Sequence, residues 1–149
     1  MELLNKDSVI FDIEASTKEE VIKVLVNQLD IEGCITSIPE FYNDVLEREK
    51  IAPTAVGFDM GLPHGRTANV LKPAICFGRL KEPVIWNEES KEIAKFAILI
   101  AVPKEDECGT HMKVISSLAR KLMHDEYREI LLSGTRDEVY NFLSETITA

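Results

Sequence analysis

Three histidines in this chain could do chemistry: His64, His111 and His124. His64 lies in Gly57-Phe58-Asp59-Met60-Gly61-Leu62-Pro63-His64-Gly65-Arg66. Taken plainly, this is a Gly/Pro-rich turn that contains a histidine. Taken chemically, it is a way to hold one imidazole still and accessible. Pro63 fixes its own φ and pushes Leu62 toward an extended conformation. Gly61 and Gly65 let other backbone come close. A neutral imidazole is a competent nucleophile, and with an unperturbed pKa of roughly 6.5 it is mostly neutral in the cell. Arg66 shares a face with His64 if the segment is extended. A guanidinium fork beside a nucleophilic nitrogen suits a phosphoryl group, whose oxygens it can pair.

His111 falls in the first turn of a helix that follows Gly109-Thr110. On that helix it sits on the apolar stripe with Val114, Ile115, Leu118 and Leu122, so a half-buried core histidine is the plain reading. The position also has a chemical use. A helix N-terminus offers N–H groups and partial positive charge, which favour a bound anion over an imidazolium. A neutral His111 could donate to a phosphate held there. Arg48-Glu49 ends an earlier helix and reads as a solvated charged end, but Arg48 stands just before the Gly/Pro loop and could reach an anion at His64. His124 reads as a cation at a helix C-terminus.

Other uses of these residues are weaker. No histidine pair has the i, i+4 spacing of a helical zinc site, and no Cys-x-x-Cys occurs, so no metal is expected. Cys76 falls mid-strand and reads as core packing, and Lys104-Glu105-Asp106-Glu107 as a solvated loop.

Elements must position these residues. Ser8 to Ile13 reads as a first strand. Ser16-Thr17-Lys18-Glu19 is a capping-box pattern with Ser16 as cap, and Val21, Ile22, Leu25, Val26 and Leu29 follow at helical spacing to a stop at Gly33. A second helix starts near Ser37-Ile38-Pro39-Glu40 and runs to about Glu49. Ala74 to Leu80 reads as a strand. Phe96 to Val102 is apolar throughout and reads as a central strand covered on both faces. Short helices fit Asp125 to Leu132 and Thr135 to Leu143, the latter opened by a cap pattern at Thr135-Arg136-Asp137-Glu138. Helices flanking a strand-rich centre give a three-layer α/β sandwich.

Composition narrows the partners. The 149 residues include 17 Lys+Arg and 26 Asp+Glu, for a net charge of −9. The length suits one domain over residues 1–149. The acidic balance disfavours non-specific nucleic-acid binding and adsorption to anionic membranes. The longest apolar run, Phe96 to Val102, is far short of the ~20 residues of a spanning helix. Met1 to Asp7 shows no basic region followed by an apolar stretch, so no secretory signal is read there. Cys34, Cys76 and Cys108 are odd in number and read as free thiols in a reducing cytoplasm.

The ordered motifs Leu46-Glu47-Arg48-Glu49, Pro53-Thr54-Ala55-Val56-Gly57 and Gly61-Leu62-Pro63-His64-Gly65-Arg66, then a histidine opening a helix at His111-Met112, resemble the enzyme IIA domain of the fructose/mannitol class of the bacterial phosphotransferase system. The resemblance covers essentially the whole chain. It implies a mixed β-sheet flanked by helices on both faces. It implies that His64 is the phosphorylated nucleophile, with His111 and Arg48 as the other active-site residues. It implies the phosphocarrier protein HPr as donor and a cysteine of enzyme IIB as acceptor. The phosphate then goes to a sugar entering through the membrane IIC component, and no cofactor is needed. The docking surface around His64 should be apolar with a charged rim. Arg66 is a weaker phosphate contact from its spacing alone. The same resemblance admits nitrogen-type members, whose output is phosphorylation-dependent protein binding. Asp59 and Met112 depart from the family's usual residues. A carboxylate facing the site would oppose phosphate, so Asp59 should turn outward.

Overall fold

A computed structural model describes residues 4–55, 57–105 and 109–148, and the side chains at 110–112 and 148 lie outside the described residues. The apolar run at 96–102 is the middle of β5 (Glu92–Pro103), the central strand of a mixed sheet. β5 pairs antiparallel with β4 (Ala74–Asn87), which pairs in parallel with β1 (Val9–Ile13). On its other edge β5 takes two short parallel strands in succession, β2 (Met60–Gly61) and β3 (His64–Thr67). Pro63 falls in the gap between them, because proline has no N–H for the ladder.

The period-2 alternation of β5 divides the core in two. Ala97, Leu99 and Ala101 face a layer made by α1 (Lys18–Ile31) and α2 (Ile38–Ile51). Phe96, Ile98, Ile100 and Val102 face α3 (Thr110–Lys121), α4 (Asp125–Ser133) and α5 (Arg136–Thr148). The three layers follow from the unbroken apolar pattern of a strand buried on both faces.

Local signals fix the starts of three helices. Ser37 accepts from Glu40 N at 3.4 Å and Pro39 takes the first turn of α2. Thr135 and Glu138 exchange side-chain and backbone hydrogen bonds at 3.2 and 2.9 Å, a reciprocal capping box. At α1 the cap is one residue later than expected: Thr17, not Ser16, accepts from Glu20 N. Thr17 has the extended backbone a cap needs. β4 also runs beyond Leu80, past a register shift between Arg79 and Val84 that accommodates the exposed Lys81-Glu82-Pro83.

Candidate functional site

α2 carries the helical half of the site. Phe41 and Val45 are fully buried one turn apart, and burying each contributes about 1.5–3 kcal/mol. They lie against Gly65 of β3, where a Cβ would meet Phe41 Cε1 at 3.0 Å and Val45 Cγ2 at 3.5 Å. Glycine leaves room for helix and edge strand to approach this closely; a Cβ there would require the Phe41 ring to give by a few tenths of an ångström. Arg48, on the turn after Val45, is thereby set beside His64.

Arg48, His64 and Arg66 line one open cleft of about 440 Å³, together with Asp44, Glu47, Ile51, Gly65 and Thr67. Half-buried His64 donates from Nδ1 to the carbonyl oxygen of Leu62 at 2.9 Å. A carbonyl only accepts, so this bond places the proton on Nδ1 and the neutral lone pair on Nε2. Burial pushes the His64 pKa below the ordinary histidine value. The Leu62 bond works against this, Arg48 adds to it, and Glu49 opposes it.

The two arginines are held differently. Arg48 Nη1 donates to the carbonyl of Ala52 at 2.8 Å, which steadies the guanidinium at the end of α2 and uses one of its five donors. Arg66 is exposed, and its Nε donates to the carbonyl of Lys104 at 3.0 Å. The rim acids have partners of their own: Asp44 accepts from Asn69 at 2.6 Å and Glu47 from Lys50 at 3.0 Å. Ile51 stands at the cleft with 81% of its surface exposed, a large apolar contact at a charged mouth.

The remaining expected residues fall elsewhere. His111 opens α3 at its second residue, and its side chain lies outside the described residues, as do Cys108 and Asp106-Glu107. His124 does not close α3. It is the N-cap of α4, its carbonyl accepts from Tyr127 and Arg128, and its ring meets Tyr127 edge-on. The Asp59 carboxylate lies 3.6 Å from Lys95 Nζ and does not line the cleft. Among the described residues no group of three or more His, Cys, Asp or Glu could hold a metal ion. No helix there is long and apolar enough to cross a membrane.

One expectation is corrected outright. Glu49 is not a solvated end but is 4% exposed. Its carboxylate accepts from Lys18 Nζ at 3.2 Å, from Thr54 N at 3.1 Å and from the Thr54 hydroxyl. The indole of Trp86 donates to Thr54 Oγ1 at 3.2 Å. A signal for this was present: Phe41, Val45 and Glu49 recur at i, i+4, i+8, so Glu49 lies on the buried stripe of α2.

The sandwich is the one built by the EIIA domains of the sugar phosphotransferase system. The chain belongs to the family Phosphoenolpyruvate-dependent sugar phosphotransferase system, EIIA 2, whose model matches residues 2–146. EIIA domains of this family are phosphotransferase components of that system. The chain is 32% identical over 145 residues to the PTS system 2-O-alpha-mannosyl-D-glycerate-specific EIIABC component of Escherichia coli. That match takes in 96% of this chain and 22% of the relative, so the chain spans about a fifth of that protein's length. The nitrogen regulatory protein IIA-Ntr of Neisseria meningitidis superposes with a TM-score of 0.86 at 27% identity, over 95% of this chain and 96% of that one. Enzyme IIA of the E. coli mannitol system, solved in complex with phosphorylated enzyme IIB, superposes with a TM-score of 0.82 at 31% identity, over 96% and 99%.

Proposed function

We propose that this chain is a phosphohistidine relay of a sugar phosphotransferase system. His64 accepts a phosphoryl group from the phosphohistidine of HPr and passes it to a cysteine of an enzyme IIB in the cytoplasm. The observation that carries this reading is the hydrogen bond from His64 Nδ1 to Leu62 O, in a cleft shared with Arg48.

The bond makes Nε2 the nucleophile. Its lone pair attacks phosphorus, the P–N bond to the donor histidine breaks, and the electron pair leaves with the donor nitrogen. Onward transfer to the thiolate of enzyme IIB runs the same way, with Nε2 as leaving group. Such transfers need little covalent chemistry from the protein beyond positioning and charge. Arg48 stabilises the phosphoryl oxygens through guanidinium donors, and His111 at the start of α3 is the further candidate for this. Arg66 adds positive charge at the mouth. Ile51 supplies an apolar contact for a docking partner.

The E. coli mannitol neighbour, solved with its phosphorylated IIB, supports the acceptor. The test is phosphotransfer from phosphoenolpyruvate through enzyme I and HPr. Acid-labile label on the wild type and none on His64→Ala is the expected result. An unlabelled wild type, with HPr shown to be charged, overturns it. A regulatory output is the second reading, favoured by the close superposition on the nitrogen regulatory protein. It is distinguished by whether phosphate reaches any IIB cysteine.

A further inference from the structure

An ion pair between Lys18 and Glu49 is an odd thing to place beneath a catalytic loop. Their side chains are only 16% and 3% exposed. Buried ion pairs add little net stability, because desolvation offsets their attraction, and well-packed apolar residues often do as well. This pair is engaged in something more specific. Both carboxylate oxygens face donors only: Oε1 takes the Thr54 hydroxyl, and Oε2 takes Thr54 N and Lys18 Nζ. Thr54 Oγ1 then has one role left, as acceptor, and Trp86 Nε1 fills it. No group in this set can be reversed, so Thr54 is held at its side chain and at its backbone N–H.

The clamp continues to the histidine. The Thr54 carbonyl accepts from Leu62 N at 3.0 Å. The Leu62 carbonyl accepts from His64 Nδ1 at 2.9 Å. Pro63 lies between, and its carbonyl accepts from Ile100 N at 3.0 Å. The peptide that selects the His64 tautomer is therefore tied on one side to the sheet and on the other to Thr54.

We propose that Glu49, acting through Thr54, is a positioning residue that fixes the His64 tautomer with Nε2 unprotonated. It does not line the cleft. Its contribution to transfer rests on the relay function proposed above; its contribution to the ring does not. In Glu49→Gln the amide NH2 must face a hydrogen-bond donor, so the clamp loosens. In Thr54→Val the hydroxyl that joins Glu49 to Trp86 is gone, while Thr54→Ser keeps it.

The experiment combines ¹⁵N NMR of the His64 ring near neutral pH, without phosphate, with transfer kinetics from phospho-HPr. The wild type should show the Nδ1–H tautomer. Glu49→Gln and Thr54→Val should show a mixture with the Nε2–H form. Their transfer kcat should fall on the order of tenfold to a hundredfold with KM for phospho-HPr little changed, as expected of a misplaced reacting atom. Thr54→Ser should restore both readouts. A folded Glu49→Gln or Thr54→Val with the wild-type tautomer overturns the proposal. Loss of folding in both assigns the network to stability and overturns it too. A wild type that takes no phosphoryl group overturns the relay reading instead, and the ring spectra still decide the role of Glu49.

Discussion

The indole of Trp86 occupies the space where a side chain at position 61 would have to be. A Cβ on Gly61 would stand 2.4 Å from Trp86 Cε2 and within 2.7 Å of two further ring carbons. Trp86 is fully buried, and its Nε1 is bonded to Thr54, so the ring has nowhere to retreat. Met60–Gly61 is all that β2 contains, and it leads directly into Leu62-Pro63-His64. The indole forms a floor under the segment that leads to His64, and glycine at position 61 is the condition for it.

Gly61→Ala is therefore expected to destabilise by overpacking, by about 1–3 kcal/mol. A urea unfolding midpoint measures this directly. Transfer should fall by more than the unfolded fraction explains, because relief of the clash must move either Trp86 or the strand before His64. An unchanged midpoint would show that the ring moves freely, against its bond to Thr54.

The depressed pKa of His64 has a sign that can be checked. Burial lowers it, and Arg48 adds to the lowering against the Leu62 bond and Glu49. The unfolded chain carries this histidine at about 6.5. As pH falls through that value the unfolded state takes up a proton that the folded state still refuses. Stability attributable to His64 is thus intact above about 6.5 and declines below it until the folded pKa is reached. His64→Asn should lack this share of the acid sensitivity when Tm is compared across the range. The same shift keeps the His64 ring neutral, so under the proposed relay the transfer rate should stay flat where an ordinary histidine is already half protonated. An NMR titration of the ring with a midpoint at or above about 6.5 would remove the basis for both statements.

Elements with a continuous local signal were legible in the residues alone. The seven apolar residues of 96–102, the Ser37-Pro39 start of α2 and the Thr135–Glu138 box each state their structure within a few positions. β2 and β3 do not. They are two and four residues long, are broken by Pro63, and exist because β5 offers them an edge. The site divides likewise. His64 and Arg66 could be paired from extended spacing. Arg48 needed the helix to end where it does. Glu49 lies on the buried stripe of α2, but a charged residue beside Arg48 reads as surface, and its partners Thr54, Trp86 and Lys18 come from a loop, the far end of β4 and another helix.

Arg79 offers a control away from the cleft. From β4 its guanidinium donates to the carbonyls of Leu131 and Gly134 at 2.9 Å each, and lies 4.0 Å from the centre of the Phe11 ring. It closes the C-terminal end of α4, where free carbonyls and the helix dipole both favour a cation. Arg79→Met should lower stability by about 1–2 kcal/mol, seen as a lower Tm. Arg79→Lys should recover part of this, since an ammonium keeps the charge but loses the fork. Phosphotransfer at a temperature where both variants are folded should match the wild type. A large fall in transfer would mean that α4 reaches the site in a way its position gives no reason to expect.

Arg48 and Arg66 share the cleft but should not share its work. Arg48 rises from a packed helix, is steadied by Ala52, and is close enough to depress the His64 pKa. Arg66 is exposed and has its Nε committed to Lys104. A preorganised donor aimed at developing charge contributes far more than one that must first shed water. Arg48→Met should reduce the rate of phosphoryl transfer to His64 about a hundredfold. Its stability cost should be at most about 1 kcal/mol, because the bond to Ala52 is on the surface. Arg48→Lys should fall between the two, keeping charge without the fork. Arg66→Met should cost less than about tenfold, and its effect should shrink as salt is raised, since an exposed charge is screened. Rapid-quench transfer from phospho-HPr, with each variant at saturation, separates these cases. Equal losses for Arg48→Met and Arg66→Met would mean that charge alone governs the cleft, and that the packing of α2 on Gly65 has no part in the chemistry.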